Sequence, residues 1–172
     1  MNQSKGKRYM QQIKKEKSNS VHILLWFAFI LYLLLLVKLI IFKYPLSDTL
    51  LGQNGWSSEA VIKHLHEGNF TPFHTIRLYL RHWNWLGRIS VENLIYNILA
   101  FVPYGVLLPL IRRDNGFFFT FLTGTLLSAA IEYIQLVTLL GVFDVDDIIL
   151  NSFGVLLGYI LYRIFRKSDK HV

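Results

Sequence analysis

Four apolar segments, each long enough to cross a bilayer as a helix, constrain the fold of this chain more than any other feature. They cover about residues 23–42, 93–111, 117–140 and 147–165. A spanning helix needs roughly 20 apolar residues. In hydrocarbon, only helices and closed barrels satisfy all backbone hydrogen bonds. The sequence therefore predicts an all-α membrane protein, built as a bundle of four transmembrane helices.

The composition agrees with this class and argues against two others. Charged residues make up only 17% of the chain and hydrophobic residues 53%, whereas soluble domains carry roughly 25% charged residues. The composition therefore argues against a soluble enzyme and against a disordered chain. The absence of Cys also excludes a disulfide scaffold, a thiol nucleophile and a Cys-based zinc site.

The first apolar segment follows a basic stretch, so a secretory signal peptide is the alternative to a membrane anchor. Its apolar core over 23–42 is longer than that of a signal peptide, and Lys43-Tyr44-Pro45 follows without a small-residue cleavage site. We therefore expect an uncleaved anchor. Residues 1–20 are interpreted as a basic cytoplasmic tail, and 21–172 as a single membrane domain.

The basic residues indicate how the four spans are oriented. The net charge is +7, and twelve of the 18 Lys and Arg residues lie in 1–20, at 112–113 and in 163–170. Because basic loops stay in the cytoplasm, this pattern predicts a multi-pass protein of the cell membrane with both termini cytoplasmic. The segment 43–92 and the Asp cluster at 144–147 then lie outside. Such a distribution indicates the lipid bilayer as partner and not a nucleic acid.

The long segment 43–92 is rich in aromatic residues. Helical spacing places Phe73, Ile76, Leu80 and Trp83 on one face, while another face carries basic residues, namely Arg77, Arg81 and Arg88. The pattern favours a short interfacial or re-entrant helix at the outer face, with Trp at headgroup level. A small packed cap over the bundle is the alternative.

Polar residues inside the spans are the main candidates for function, because they are costly in hydrocarbon and usually have a purpose. With the predicted topology, all of them lie in the outer half of the membrane or where the fourth span begins on the outer side: Asn97, Glu132, Gln135, Asn151, Asp144 and Asp147. Glu132 and Gln135 are three residues apart and so share one helix face. One Asp of the cluster is expected only to cap the fourth helix.

The fourth span also carries a row of small and polar residues. Asp147, Asn151, Gly154 and Gly158 fall on one helix face, and a GxxxG pair lets a neighbouring backbone approach closely. This row predicts that the fourth span packs tightly against another span with the polar residues in the same seam. In the second span, Pro103 removes a helical hydrogen bond, which predicts a bend that opens one side of a pocket.

Four short pieces of the sequence resemble the VanZ-like membrane proteins. They are 69–75 (NFTPFHT), 97–108 (NILAFVPYGVLL), 132–135 (EYIQ) and 144–154 (DVDDIILNSFG), followed by Gly158. The resemblance implies a small four-span protein of the bacterial envelope, whose founding member is associated with resistance to teicoplanin, a lipid-tailed glycopeptide. It brings no settled catalytic mechanism. The matched motif residues are Asn97, Pro103, Gly105, Glu132, Gln135, Asp144, Asp147, Asn151 and Gly154.

Three hypotheses for function follow from these observations. The first is a non-enzymatic protein, without cofactor or metal, that lowers susceptibility to teicoplanin or related lipoglycopeptides. Its outward polar site would bind a lipid-linked cell-wall component or the antibiotic's lipid anchor. The second is an intramembrane enzyme acting on a lipid or polyprenyl phosphate, with Glu132 as general acid or base, an acidic Mg²⁺ site and the three Arg residues holding the phosphate. The third is a small lipid transporter.

Overall fold

Six helices make up most of the computed structural model, which describes residues 3–41, 56–112 and 116–168. Only the backbone is described for residues 3–18, 40–41, 83–90 and 168 within the helices. The helices are α1 (Gln3–Ile41), α2 (Ser58–Glu67), α3 (His74–Arg81), α4 (Trp83–Ile111), α5 (Phe117–Thr138) and α6 (Val145–Ser168). The described residues form no strand beyond one isolated bridge between Asn69 and Asp144.

Four of the helices contain a stretch long and apolar enough to cross a membrane. These stretches are Asn19–Leu39, Val91–Ile111, Phe117–Thr138 and Val145–Lys167. Each overlaps one of the predicted spans, so the all-α membrane bundle is confirmed. Two helices extend beyond their apolar stretch: α1 begins at Gln3 and includes most of the basic stretch 1–20, and α4 begins at Trp83.

The closest contact in the bundle is the seam between α4 and α6. A Cβ placed on Gly154 would overlap the carbonyl oxygen of Ile98, and one on Gly158 would lie 2.9 Å from Cα of Gly105. Val155, between the two glycines of α6, is fully buried. The close approach predicted from the GxxxG pair is therefore present, and α4 is the helix that makes it.

Helix α5 packs on α6 through polar contacts as well as apolar ones. The hydroxyls of Thr125 and Ser152 are 2.8 Å apart, and Nδ2 of Asn151 donates to Oγ of Ser128 at 2.8 Å. Interhelical hydrogen bonds of this kind are favourable in a membrane. They fix the rotation of α6 about its axis, and this rotation also decides which way the row of small and polar residues on α6 faces.

The stretch before α4 forms two short helices at one end of the bundle, where α5 ends and α6 begins. We call this the motif end. Here α2 lies on the end of α5: Nε1 of Trp56 donates to the carbonyl of Val137 at 2.8 Å. The sequence analysis predicted a helix from Phe73, which matches α3, but it missed α2. No residue of α2 is buried. Insertion of α3 into the interface stays a prediction.

Candidate functional site

The segment 69–76 is attached to the beginning of α6 by backbone hydrogen bonds. The N–H of Asn69 donates to the carbonyl of Phe143 at 2.8 Å, and the N–H of Val145 donates to the carbonyl of Asn69 at 2.9 Å. The rings of Phe70 and Phe143 stack with their centroids 4.7 Å apart. Two of the pieces that carry the family resemblance, 69–75 and 144–154, therefore form one unit at the motif end.

A buried carboxylate from another helix accepts hydrogen bonds at the beginning of α3. Asp146 is fully buried, and its two oxygens accept from the N–H of Phe73 and, at 3.1 Å, from the N–H of Ile76. Phe73 itself has left-handed backbone geometry (φ 64°) and no capping side chain. The first N–H groups of a helix need acceptors. Asp146 supplies them from another helix, and so fixes α3 against α6.

Asp144 connects this unit to the intramembrane Glu132. Its Oδ1 accepts from Nδ2 of Asn69 at 2.7 Å and from the N–H of Asp146 at 2.8 Å. The second bond caps α6 and accounts for the cap expected within the Asp cluster. The N–H of Asp144 donates to Oε2 of Glu132 at 3.0 Å. Glu132 is only 2% exposed, so a buried carboxylate on α5 holds the loop that precedes α6.

Two amides complete the polar cluster. Nδ2 of Asn97, on α4, donates to Oδ1 of Asp147 at 2.5 Å, which joins the second and fourth spans. Asn151 is 2% exposed. Its Nδ2 is bonded to Ser128, but its Oδ1 is buried without a hydrogen-bond partner. Buried side-chain acceptors in native proteins are nearly always satisfied, so this atom stands out among the described residues.

Four of these polar residues line a cavity of about 640 Å³, and we call them its polar end: Asn97, Glu132, Asp147 and Asn151. The volume is typical of ligand sites. The polar lining comes from four helices: Asn93 and Asn97 of α4, Glu132 and Gln135 of α5, Asp147 and Asn151 of α6, and Tyr32 of α1. The apolar lining comes mainly from α1 and α4: Leu35, Leu36, Leu39, Leu99, Ala100 and Pro103. The cavity is therefore amphipathic.

A smaller cavity of about 260 Å³ lies on the α3 side of the same cluster. It shares several lining residues with the large one: Asn93, Asn97, Val142 and Asp147. Its other polar lining includes Asn69, His74, Thr75 and Asp144. The shared residues place the docked segment 69–75 next to the large cavity.

The structure separates the nine motif residues into two groups. Seven line one of the two cavities: Asn97, Pro103, Glu132, Gln135, Asp144, Asp147 and Asn151. The other two, Gly105 and Gly154, lie in the α4–α6 seam, where a Cβ would meet backbone atoms. The common depth predicted for the polar residues agrees with this clustering. Their action as a binding site stays a prediction.

Two of the three predicted Arg partners, Arg77 and Arg81, are not brought into the cluster. Arg77 and Arg81 are exposed on α3, and neither is among the described residues that line the two cavities. The side chain of Arg88 lies outside the described residues. The 3–41, 56–112 and 116–168 ranges also contain no group of three or more His, Asp or Glu side chains placed to hold a metal ion.

Sequence reasoning missed several residues of this site. Asn69 and Asp146 organise the cluster, but only their place in the resemblance pieces drew attention to them. Asn93 gave no signal, because an Asn at the end of an apolar segment is common. The wall supplied by α1, with Tyr32 and Leu36, could not be found from periodicity, because α1 is apolar on all sides.

Comparisons with known proteins agree with the architecture. The family model for VanZ/LLP1 matches residues 29–166. Protein VanZ of Enterococcus faecium is 34% identical over 83 residues, which is 48% of this chain and 50% of that protein. The chain thus matches about half the length of this curated relative. No solved structure matches. Because the family model covers well over half of the chain, including the polar cluster and at least part of every span, the chain belongs to the VanZ/LLP1 family.

Proposed function

We propose that this protein lowers susceptibility to teicoplanin or a related lipoglycopeptide by binding an amphiphile in the large cavity. The amphiphile is the lipid tail of the antibiotic or a lipid-linked cell-wall component. The observation that carries the proposal is the amphipathic lining: apolar side chains of α1 and α4 lead to a polar end around Glu132 and Asn151. A tail and a polar head would find matching surroundings in one continuous space.

The apolar wall is accessible from the side of the bundle. Leu35 is 51% exposed, Leu99 56% and Tyr96 60%, although all three line the cavity. In a bilayer these surfaces would face acyl chains. An amphiphile could therefore enter from the membrane without passing through water, which fits a ligand that is anchored by its tail.

The charge distribution supports an outward cavity. The acidic cluster of Asp144, Asp146 and Asp147 is at the motif end, whereas Arg112 and Arg166 lie at the opposite end, after α4 and near the end of α6. Basic residues favour the cytoplasmic side. With both termini cytoplasmic, the cavity would open in the outer leaflet, where a lipid-tailed antibiotic that acts outside the membrane inserts.

The orientation can be tested directly, because the chain has no Cys and any introduced Cys is unique. Lys63→Cys on α2 and Lys167→Cys on α6 replace exposed residues at opposite ends. We expect a membrane-impermeant maleimide to label the first in intact cells and the second only after permeabilisation. The reverse pattern would contradict an outward cavity.

The function can be tested by paired susceptibility measurements in a sensitive Gram-positive host. We expect the wild type to raise tolerance to teicoplanin several-fold, with no rise for vancomycin, which lacks the lipid tail. Glu132→Ala should abolish the rise at matched membrane levels, because the polar end and its bond to Asp144 are lost. Tyr133→Ala is the control: it changes the adjacent, 63% exposed residue of the same helix and should retain the rise. No rise with the wild type would contradict the proposal.

A further inference from the structure

A groove of about 780 Å³ lies at the end of the bundle opposite the motif end, between the beginning of α5 and the second half of α6. It shares no lining residue with the large cavity. We infer that this groove binds one anionic phospholipid, with the phosphate at Arg163 and Lys167 and an acyl chain along Ile160 and Phe117. The inference concerns a separate site and does not depend on the proposed function.

The end of α6 concentrates positive charge in this groove. Arg163, Arg166 and Lys167 all belong to its lining, and the described lining contains no Asp or Glu. The acidic residues of α6, Asp146 and Asp147, lie in its first turn, at the other end. Like charges three or four residues apart on a helix repel one another. An anion placed between them would therefore be stabilised, and Arg and Lys are the side chains that bind phosphate.

Ring contacts hold the floor of the groove in place. Nη1 of Arg166 donates to the hydroxyl of Tyr162 at 2.6 Å, and the guanidinium lies 5.8 Å from the centroid of that ring. Tyr159 is 9% exposed and packs between Phe117 and Tyr162, with centroid distances of 5.3 Å and 5.7 Å. One cation and the aromatic floor are thus ordered without a ligand, which lowers the entropic cost of binding one.

The groove has the depth of one membrane leaflet. Leu156 and Lys167 mark its two ends on α6, and the rise of an α-helix puts them about 16 Å apart. One leaflet contributes about 15 Å of hydrocarbon. The lining is apolar from Leu156 to Ile160 and basic from Arg163 onwards. A soluble anion would leave the apolar part uncovered, whereas a phospholipid matches both parts.

The test compares two lipids with the same acyl chains and different heads. The full chain, purified in the neutral detergent dodecyl maltoside, is titrated with palmitoyl-oleoyl phosphatidylglycerol, which is anionic, and with palmitoyl-oleoyl phosphatidylcholine, which is zwitterionic. Native mass spectrometry counts the bound lipid. We expect one phosphatidylglycerol per chain, bound several-fold more tightly than phosphatidylcholine. The soluble head alone, sn-glycerol 3-phosphate, should not bind at the same concentrations.

One pair of variants tests the head. Arg163→Gln should weaken phosphatidylglycerol binding about fivefold, the contribution of one basic residue near an anionic lipid surface, and leave phosphatidylcholine binding unchanged. Arg112→Gln is the matched control. Arg112 is exposed at the same end of the bundle and lies over the ring of Phe119 at 5.4 Å, outside the groove lining. Its loss removes the same charge and should leave the lipid affinity unchanged.

A second pair tests the tail at constant charge. Ile160→Trp fills the apolar part of the groove and should weaken the binding of both lipids several-fold. Leu161→Trp is the matched control, because Leu161 is the next residue of α6 and is 40% exposed, against 44% for Ile160, but does not line the groove. It should bind lipid like the wild type.

Four results would overturn the inference. The wild type could bind the two lipids equally, or Arg112→Gln could lose as much affinity as Arg163→Gln, which would indicate only general surface charge. Binding of sn-glycerol 3-phosphate as tight as that of the lipid would indicate a free phosphate site. A dimer that excludes phosphatidylglycerol would assign the groove to a second copy of the chain.

The lipid preference of the wild type is itself a measurement, so the inference stays testable if a variant does not fold. Teicoplanin susceptibility is measured separately. Loss of the lipid preference leaves the proposed function standing, and an unchanged susceptibility leaves the lipid groove standing.

Discussion

The α4–α6 seam and the α1 wall enclose the same cavity but are held in very different ways. In the most apolar stretch of α6, 44% of the residues are buried, against 11% for α1. At the seam, backbone meets backbone at Gly154 and Gly158. On the other side, α1 makes fewer specific contacts, among them the ring pair Phe29–Tyr104, with centroids 5.6 Å apart.

The seam and the α1 wall therefore have different roles in forming the cavity. The seam leaves no room for rearrangement, since close-packed interiors tolerate little change in volume, and it carries the polar residues Asn97, Asp147 and Asn151. Helix α1 supplies apolar surface with little sequence specificity. The polar end of the cavity is therefore fixed by backbone packing, while the apolar side depends on the general hydrophobicity of a single helix.

The largest effect is expected from breaking the seam. Gly154→Ala would press a methyl group into the carbonyl of Ile98, and we expect a loss of about 3 kcal/mol in the free energy of unfolding. Titration of the micellar protein with sodium dodecyl sulfate measures it. Gly116→Ala is the control, because a Cβ there meets nothing within 4 Å; as the N-cap of α5 it should lose only about 1 kcal/mol or less. Equal losses in the two variants would contradict a close-packed seam.

A smaller effect is expected where the motif end is attached to the seam. Asp146→Ala removes the acceptor for the N–H groups of Phe73 and Ile76, and loss of a helix cap costs up to about 2 kcal/mol. We expect faster hydrogen exchange across α3 and unchanged exchange in the seam. Glu59→Ala, an exposed substitution in the first turn of α2, should leave both unchanged. Faster exchange throughout α6 would show that α3 and the seam open together as one cooperative unit.

On the α1 side, the expected effect is smaller again. Tyr32→Phe deletes the hydrogen bond to the carbonyl of Ala100, and such bonds in membranes average about 0.6 kcal/mol. Unfolding in sodium dodecyl sulfate should shift by about that amount. The ring, and with it the cavity lining, is retained. A loss as large as that of Gly154→Ala would mean that α1 is as firmly held as α6.

The smallest effect is expected outside both regions and gives the baseline for the others. Lys63→Ala breaks an exposed pair with Glu67, 3.8 Å apart on α2. Exposed pairs at this spacing contribute only a few tenths of a kcal/mol, so stability should change by about 0.3 kcal/mol or less. A clearly larger shift in the same titration would mean that α2 contributes more to the motif end than its exposure indicates.

Much of the candidate site could be predicted because membrane insertion restricts polar residues so strongly. Glu132, Asn97 and Asn151 stood out by their positions in apolar segments, and helical spacing placed Asp147, Asn151 and Gly154 on one face. Asp146 could not be recognised in this way. Its role as the cap of α3 depends on a contact between segments about 70 residues apart, and one sequence contains no direct signal for such a contact.

The number and type of the spans, and the row of small and polar residues on α6, follow from the amino-acid sequence, because hydrocarbon leaves the backbone few alternatives and the helical period is constant. Which helices meet is a property of the folded bundle. The tertiary structure placed Gly154 against α4, Asp146 under α3 and Tyr32 beside the cavity. These pairings depend on side-chain shape and on satisfying individual hydrogen bonds across helices. Local periodicity carries no information about either.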